Sequence, residues 1–299
     1  MIGRQSSYPP LRQPWTQTVE GGSFPLTLTY VEPAVERPDN MPHVAIGLPP
    51  GLNEDAHVQY PFVRRLVRAA WRAGEWATVV TYDSPHKGQD CFTYDFKTRR
   101  WLTAARAATD TLETPLDVTA HSLAWPCAID SADQLADEAR LRTITGINPA
   151  HHRNERRNHH VDVAVSLSHL IGEVFSRHRF GTRRGGAATI WRLTRNSMSH
   201  IWDDVGGAIR EAAEVLVGDS SSLAADLSRD PRVGVAVGLG RYDKITPACE
   251  SLAKLWAAEF AGPIAVWNTD HVGPIANRSL APQVYSLMMA ARNNSGIAA

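Results

Sequence analysis

Apolar and polar residues alternate from Thr16 to Val31, as in Phe24-Pro-Leu-Thr-Leu-Thr-Tyr-Val31. Alternation with a period of two predicts strands, and Gly21-Gly22 between the two halves predicts the turn of an antiparallel hairpin. After Met41 the pattern changes. Short apolar runs occupy His43–Leu48, Ala77–Tyr82, Leu116–Ala120, Arg142–Ile147, Val233–Leu239 and Ile264–Trp267. Between them, Tyr60–Ala73, Trp101–Leu112, Ala124–Ala139, Ala248–Phe260 and Pro282–Arg292 carry apolar residues at helical spacing. Apolar strands without clean alternation are buried on both faces, as in a parallel sheet. Strands interleaved with helices give a doubly wound α/β domain. Right-handed crossovers then put helices on both faces of a mostly parallel, twisted sheet.

The alternation stops at Ala150 and resumes after about Ser222. Helical stretches fill the gap, among them Val161–Ser176 and Trp202–Val217. The expected organisation is a core of residues 16–149 and 223–299, with residues 150–222 inserted between the sixth and seventh strands as a helical cap. Residues 1–15, rich in Pro, Gln and Ser, are expected to form a loose arm.

At 299 residues and 43% hydrophobic composition, the chain can bury a large core together with such a cap. Its 31 basic residues balance its 31 acidic ones, so no global charge favours nucleic acid. Cys91, Cys127 and Cys249 are far apart and odd in number, which suggests neither a disulfide framework nor a zinc knuckle. The first fifteen residues have no apolar stretch of the kind that forms a secretory leader. No run reaches the roughly 20 apolar residues that cross a bilayer. A soluble cytoplasmic protein without a membrane partner is expected.

Three short segments carry candidate chemistry. Ala120-His121-Ser122-Leu123-Ala124 follows one apolar run and opens a helix, a small-x-Ser-x-small arrangement. A nucleophile on so sharp a turn needs small residues two positions to either side, so that strand and helix can approach. Asp243, in Gly238-Leu-Gly-Arg-Tyr-Asp243-Lys-Ile-Thr-Pro247, follows the next-to-last run. His271, in Asn268-Thr-Asp270-His271-Val-Gly273-Pro274, follows the last. Read singly, Ser122 fits a helix N-cap, Asp243 a turn and His271 a solvated loop. Read together, each lies where a parallel sheet opens its ligand crevice, past the carboxyl end of a strand. Asp270 and Asp83 compete with Asp243 as the acid. Asp270 is the poorer partner, because the side chains of adjacent residues diverge.

On these segments the sequence resembles the α/β-hydrolase family from about residue 16 onward, outside the insertion. The order Ser122, Asp243, His271 matches that family's order of nucleophile, acid and base. Gly47-Leu-Pro-Pro-Gly51-Leu52-Asn53 is similar to its oxyanion loop, with Pro50-Gly51 where many members have His-Gly. Tyr82-Asp-Ser-Pro-His-Lys-Gly88-Gln-Asp90 resembles its loop after the following strand. The resemblance implies that Ser122 attacks a carbonyl, His271 shuttles the proton, and Asp243 orients the imidazole. It implies an oxyanion hole from the backbone N–H groups of Leu52 and Leu123. It implies no cofactor and no metal.

Substrate-binding residues are expected at Gly51, His121, Trp125, Trp191 and Trp202. Trp125 would shape the pocket floor, and Trp191 and Trp202 would line an apolar space beneath the cap. Residues 151–200 hold nine arginines against three acids, a solvated face or an entrance for an anionic substrate. His151-His152 and His159-His160 lack a carboxylate or thiol at metal-ligand spacing and read as loop histidines. The leading expectation is hydrolysis of a carboxylic ester, lactone or thioester as a small-molecule acyl substrate. The alternatives are acyl transfer, C–C or peptide bond cleavage by the same triad, and ligand capture without turnover.

Overall fold

The computed structural model describes residues 8–20, 25–51, 56–83, 94–150, 220–277 and 279–295. Eight strands form one sheet: β1 (Trp15–Val19), β2 (Leu26–Val31), β3 (His43–Leu48), β4 (Trp76–Tyr82), β5 (Leu116–His121), β6 (Leu141–Ile147), β7 (Gly234–Gly240) and β8 (Ile264–Trp267). Their spatial order is β1-β2-β4-β3-β5-β6-β7-β8. β2 pairs antiparallel with β1 and with β4, and every other pairing is parallel. β1 and β2 alternate in burial, whereas β4, β5 and β7 are buried along their whole length. That difference is the one written in their sequences, half-covered hairpin against doubly covered parallel strands.

The helices are α1 (Ala56–Arg72), α2 (Tyr94–Leu112), α3 (Ala124–Asp130), α4 (Ala132–Asp137), α5 (Ser220–Arg229), α6 (Ala248–Ala257), α7 (Gly273–Ala276) and α8 (Ala281–Asn294). They cover both faces. One core layer joins the sheet to α2, α3, α4, α5 and α6 through Trp101, Trp125, Leu135, Leu227 and Leu255. The other joins it to α1, α7 and α8 through Phe62, Leu66, Ile275, Val284 and Met288.

Several expectations need correction. The single helix expected over Ala124–Ala139 is two, because Ser131 turns its hydroxyl back onto the carbonyls of Cys127 (2.6 Å) and Ala128 (3.3 Å) and loosens the ladder there. α5 and α7 were not expected. Ala224 and Leu227 anchor α5 in the core, and it runs across the 222–223 boundary. Residues 8–14 are not a loose arm. Arg12 N–H donates to the Glu32 carbonyl at 3.0 Å, Ala34 N–H donates to the Pro10 carbonyl at 2.8 Å, and the Arg12 guanidinium pairs with Glu32. The expected turn at Gly21-Gly22 and the cap between residues 151 and 219 lie outside the described residues. Among the described residues no helix is long and apolar enough to cross a membrane.

At the end of the sheet away from the strands' carboxyl termini, charges are buried in a balanced set. Arg292 of α8 donates to Glu75 at 2.7 Å and also to Asp117. Asp117 takes further bonds from Arg142 (3.0 Å) and Thr143 (2.8 Å). Removing this cation would leave the buried Glu75 without a charged partner and take one of two cations from Asp117, so Arg292→Met is expected to cost about 3 kcal/mol of folding stability. Chemical denaturation reads this, and a loss under about 1 kcal/mol would show that α8 docks by its apolar face alone.

Candidate active site

β5 ends at His121, and the chain turns through Ser122 into α3. Ser122 has a left-handed backbone, φ 53°, which a residue bearing a side chain adopts at a cost. The turn is held on both sides. Ser122 N–H donates to the Ile147 carbonyl at 3.0 Å, and the Ser122 carbonyl accepts from Trp125 N–H and Ala150 N–H, each at 3.2 Å. Ala120 and Ala124 are buried where strand and helix close together, as small flanking residues must be.

The Ser122 hydroxyl lies 2.8 Å from His271 Nε2, and His271 Nδ1 lies 2.7 Å from Asp243 Oδ2. All three residues are buried or nearly so. A carboxylate only accepts, so Nδ1 carries the ring proton and Nε2 is left to accept from the serine hydroxyl. Asp243 is itself held. Its Oδ1 accepts from the N–H groups of Ile245 and Thr246, each at 2.8 Å, and its Oδ2 accepts from the Thr246 hydroxyl at 2.6 Å. With the imidazole, four donors converge on one carboxylate. The Leu123 N–H, at the head of α3, is a first-turn donor with no acceptor inside the helix.

The loops bearing Asp243 and His271 are knitted together. Arg241 N–H donates to the Trp267 carbonyl, and Tyr242 N–H to the Thr269 carbonyl. Gly240 permits this approach, because a Cβ there would come within 2.9 Å of the carbonyl oxygens of Thr269 and Asp270. Asn148, at the end of β6, bonds to both loops and was not anticipated from sequence. Thr246 was quoted only as part of the acid loop. The signal for Asn148 was faint: an Asn after a strand and before a Pro, a place suited to its left-handed backbone.

Eight mostly parallel strands in this order, with the Ser122 turn after β5, can be compared with solved structures. A bromoperoxidase from Bacillus anthracis is 13% identical, with a TM-score of 0.60 over 92% of this chain and 99% of that one. An enol-lactonase from Burkholderia xenovorans is 17% identical, with a TM-score of 0.56 over 88% and 96%. A thermophilic esterase from Thermogutta terrifontis is 13% identical, with a TM-score of 0.59 over 93% and 98%. These are α/β-hydrolase-fold proteins. The chain has the α/β-hydrolase fold. No family model and no curated protein matches its sequence.

Within this α/β-hydrolase fold, the residues expected to bind substrate go to different places. Gly51 is buried at the start of its loop, two residues past Pro49, whose carbonyl accepts from Gln59 at 3.2 Å. Trp125 is fully buried. Its ring packs over Gly146, where a Cβ would come 2.6 Å away, so it fills the core beneath the Ser122 turn. His121 is also buried, with Nε2 on the His271 carbonyl at 2.9 Å, so that nitrogen serves the protein rather than a ligand. Leu52, Trp191 and Trp202 lie outside the described residues, as do the arginines and paired histidines of the insertion. A cleft beside α3 is lined by Pro49, Pro50, Tyr82, Lys97, Arg100 and Ala124, with Cys127 at its wall. Among the described residues no cluster of His, Cys, Asp and Glu is arranged to hold a metal ion.

Asp270 is fully buried beside His271, yet its carboxyl does not touch the imidazole. Oδ1 accepts from Gly273 N–H at 2.9 Å, and Oδ2 has no hydrogen-bond partner. Burial pushes this carboxyl above its ordinary value; the Gly273 N–H opposes the shift and the nearby Asp243 charge adds to it. The native state therefore holds this proton more tightly than the unfolded chain. The stability that follows is present in full below about pH 4, the unfolded value, and is lost as pH rises through the raised native value. Asp270→Asn is expected to melt higher than the parent at pH 8 and to converge with it toward pH 4. Melting curves across that range check it, and a variant that melts lower at pH 8 would reverse the sign.

Proposed function

We propose that the protein is a serine hydrolase that cleaves a carboxylic ester, lactone or thioester through an acyl-enzyme on Ser122. The observation that carries this reading is the continuous hydrogen-bonded chain from the Ser122 hydroxyl through His271 to Asp243, at a strained strand-to-helix turn. Ser122 Oγ attacks the substrate carbonyl as His271 Nε2 takes its proton. Asp243 keeps the imidazole in the required tautomer and stabilises the imidazolium. The developing oxyanion lies against the N–H group of Leu123, a donor of a kind worth about 3 kcal/mol in the transition state; Leu52, the expected second donor, lies outside the described residues. His271 then gives its proton to the leaving group. Water, deprotonated by the same nitrogen, attacks the acyl-enzyme, releases the acid and restores the serine.

A narrow cleft beside α3 borders the Ser122 turn through Ala124 and is lined on its apolar side by Pro49, Pro50 and Cys127. A fluorophosphonate probe followed by peptide mapping tests the reading, together with a panel of short esters, lactones and acyl thioesters. Labelling confined to Ser122, with turnover of at least one substrate class, is the expected result. A folded protein that neither labels nor turns over any of the three would overturn it.

A further inference from the structure

Asn148 closes β6, is fully buried and has a backbone φ of 44°. An amide side chain offers two N–H donors and one carbonyl acceptor, and here each is engaged. Nδ2 donates to the Asp270 carbonyl at 3.0 Å and to the His271 carbonyl at 2.7 Å. Oδ1 accepts from Gly240 N–H at 2.6 Å. The partners fix which way the amide points, since carbonyls need donors and an N–H needs an acceptor. One side chain thus ties the end of β6 to the end of β7 and to the loop after β8.

The His271 carbonyl has a second donor. His121, the last residue of β5, sends Nε2 to it at 2.9 Å, and the two imidazole rings lie 5.0 Å apart. A carbonyl only accepts, so Nε2 of His121 carries a proton in this bond. Two side chains from two different strands therefore grip one main-chain oxygen. Only two side-chain torsions separate the His271 backbone from its ring, so the grip sets where Nε2 of His271 can be. We propose that Asn148 and His121 are positioning residues that clamp the main chain of His271 and so hold its imidazole between Ser122 and Asp243. The inference rests on the serine-hydrolase reading for its kinetic effect, but the clamp itself is a property of the ring.

The test uses substitutions close to the originals in size and shape. Asn148→Asp keeps the size, the tolerance of a left-handed backbone and the acceptor for Gly240, while removing both donors. His121→Phe keeps a ring and removes the donor; His121→Gln puts an amide nitrogen close to where Nε2 stood. Misplacing a catalytic group by about 1 Å costs about 100-fold, so Asn148→Asp and His121→Phe should lower kcat and Ser122 labelling by about that much, with KM changed less than about twofold. His121→Gln should recover most of the loss. In NMR spectra of the folded proteins, the downfield Nδ1–H signal of His271, assigned by its loss in His271→Gln, should broaden or move upfield in Asn148→Asp and His121→Phe. Folded variants with wild-type kcat, an unchanged ring signal, or a His121→Gln protein as impaired as His121→Phe would each overturn the clamp. Should Asn148→Asp not fold, the two His121 variants decide. A wild-type protein that fails to label refutes the serine-hydrolase reading instead, and the ring signal still settles the clamp.

Discussion

Ser122→Ala is expected to reduce turnover of any productive ester by about 10⁵-fold to 10⁶-fold, the loss typical when the nucleophile of a coupled triad is removed. The physical reason lies in the hydroxyl alone. Its proton goes to His271 Nε2 at 2.8 Å, and no other group at the turn can form the acyl bond. The same substitution should spare stability. Alanine keeps the Cβ, and the hydrogen bonds that hold the turn come from the Ser122 backbone rather than from its hydroxyl. The melting temperature should stay within a few degrees of wild type. Residual turnover near the wild-type rate in purified protein would remove Ser122 from the mechanism, while loss of the folded state would leave activity uninterpretable and call for Ser122→Gly at the same left-handed position.

Asp243→Asn should cost about 10⁴-fold in kcat, because an amide facing Nδ1 favours the wrong tautomer of the imidazole. The variant also disturbs the acid's own cradle. The Thr246 hydroxyl and the imidazole both reach Oδ2, so whichever atom becomes the amide nitrogen meets groups that expect an acceptor. Asp270→Asn is the matched control. It changes an adjacent carboxyl with the same chemistry, yet neither of its oxygens bonds the ring, so its kcat should stay within about threefold of wild type. The pair of pH–rate profiles separates the two acids. Equal losses in both variants would show that charge near the histidine, and not the Asp243 contact, supports the imidazole.

Much of this was legible along the chain because it depends on local periodicity. The runs that became β3 to β7 are apolar without alternation, as strands covered on both sides are; β8, at the sheet's edge, is apolar too but leaves Val266 exposed. The flanking alanines of Ser122, and the places of Asp243 and His271 just past their strands, are also local facts, set by what a tight turn or a strand end tolerates. They nominated the three residues that meet. The helix break at Ser131, the docking of residues 8–14 and the core role of Trp125 were not legible, because each depends on a partner far away in sequence.

The sequence by itself determined the alternation of strands and helices, the parallel character of the sheet and the order of the three candidate residues. These follow from how a backbone of given side chains buries its apolar surface. Only the tertiary structure decided which carboxylate reaches the imidazole, that Asp270 faces Gly273 instead, and that Asn148 and His121 share one carbonyl. Those are contacts between strand ends that lie as much as 150 residues apart, and no spacing rule along a chain fixes the direction in which a side chain points when such ends are brought together.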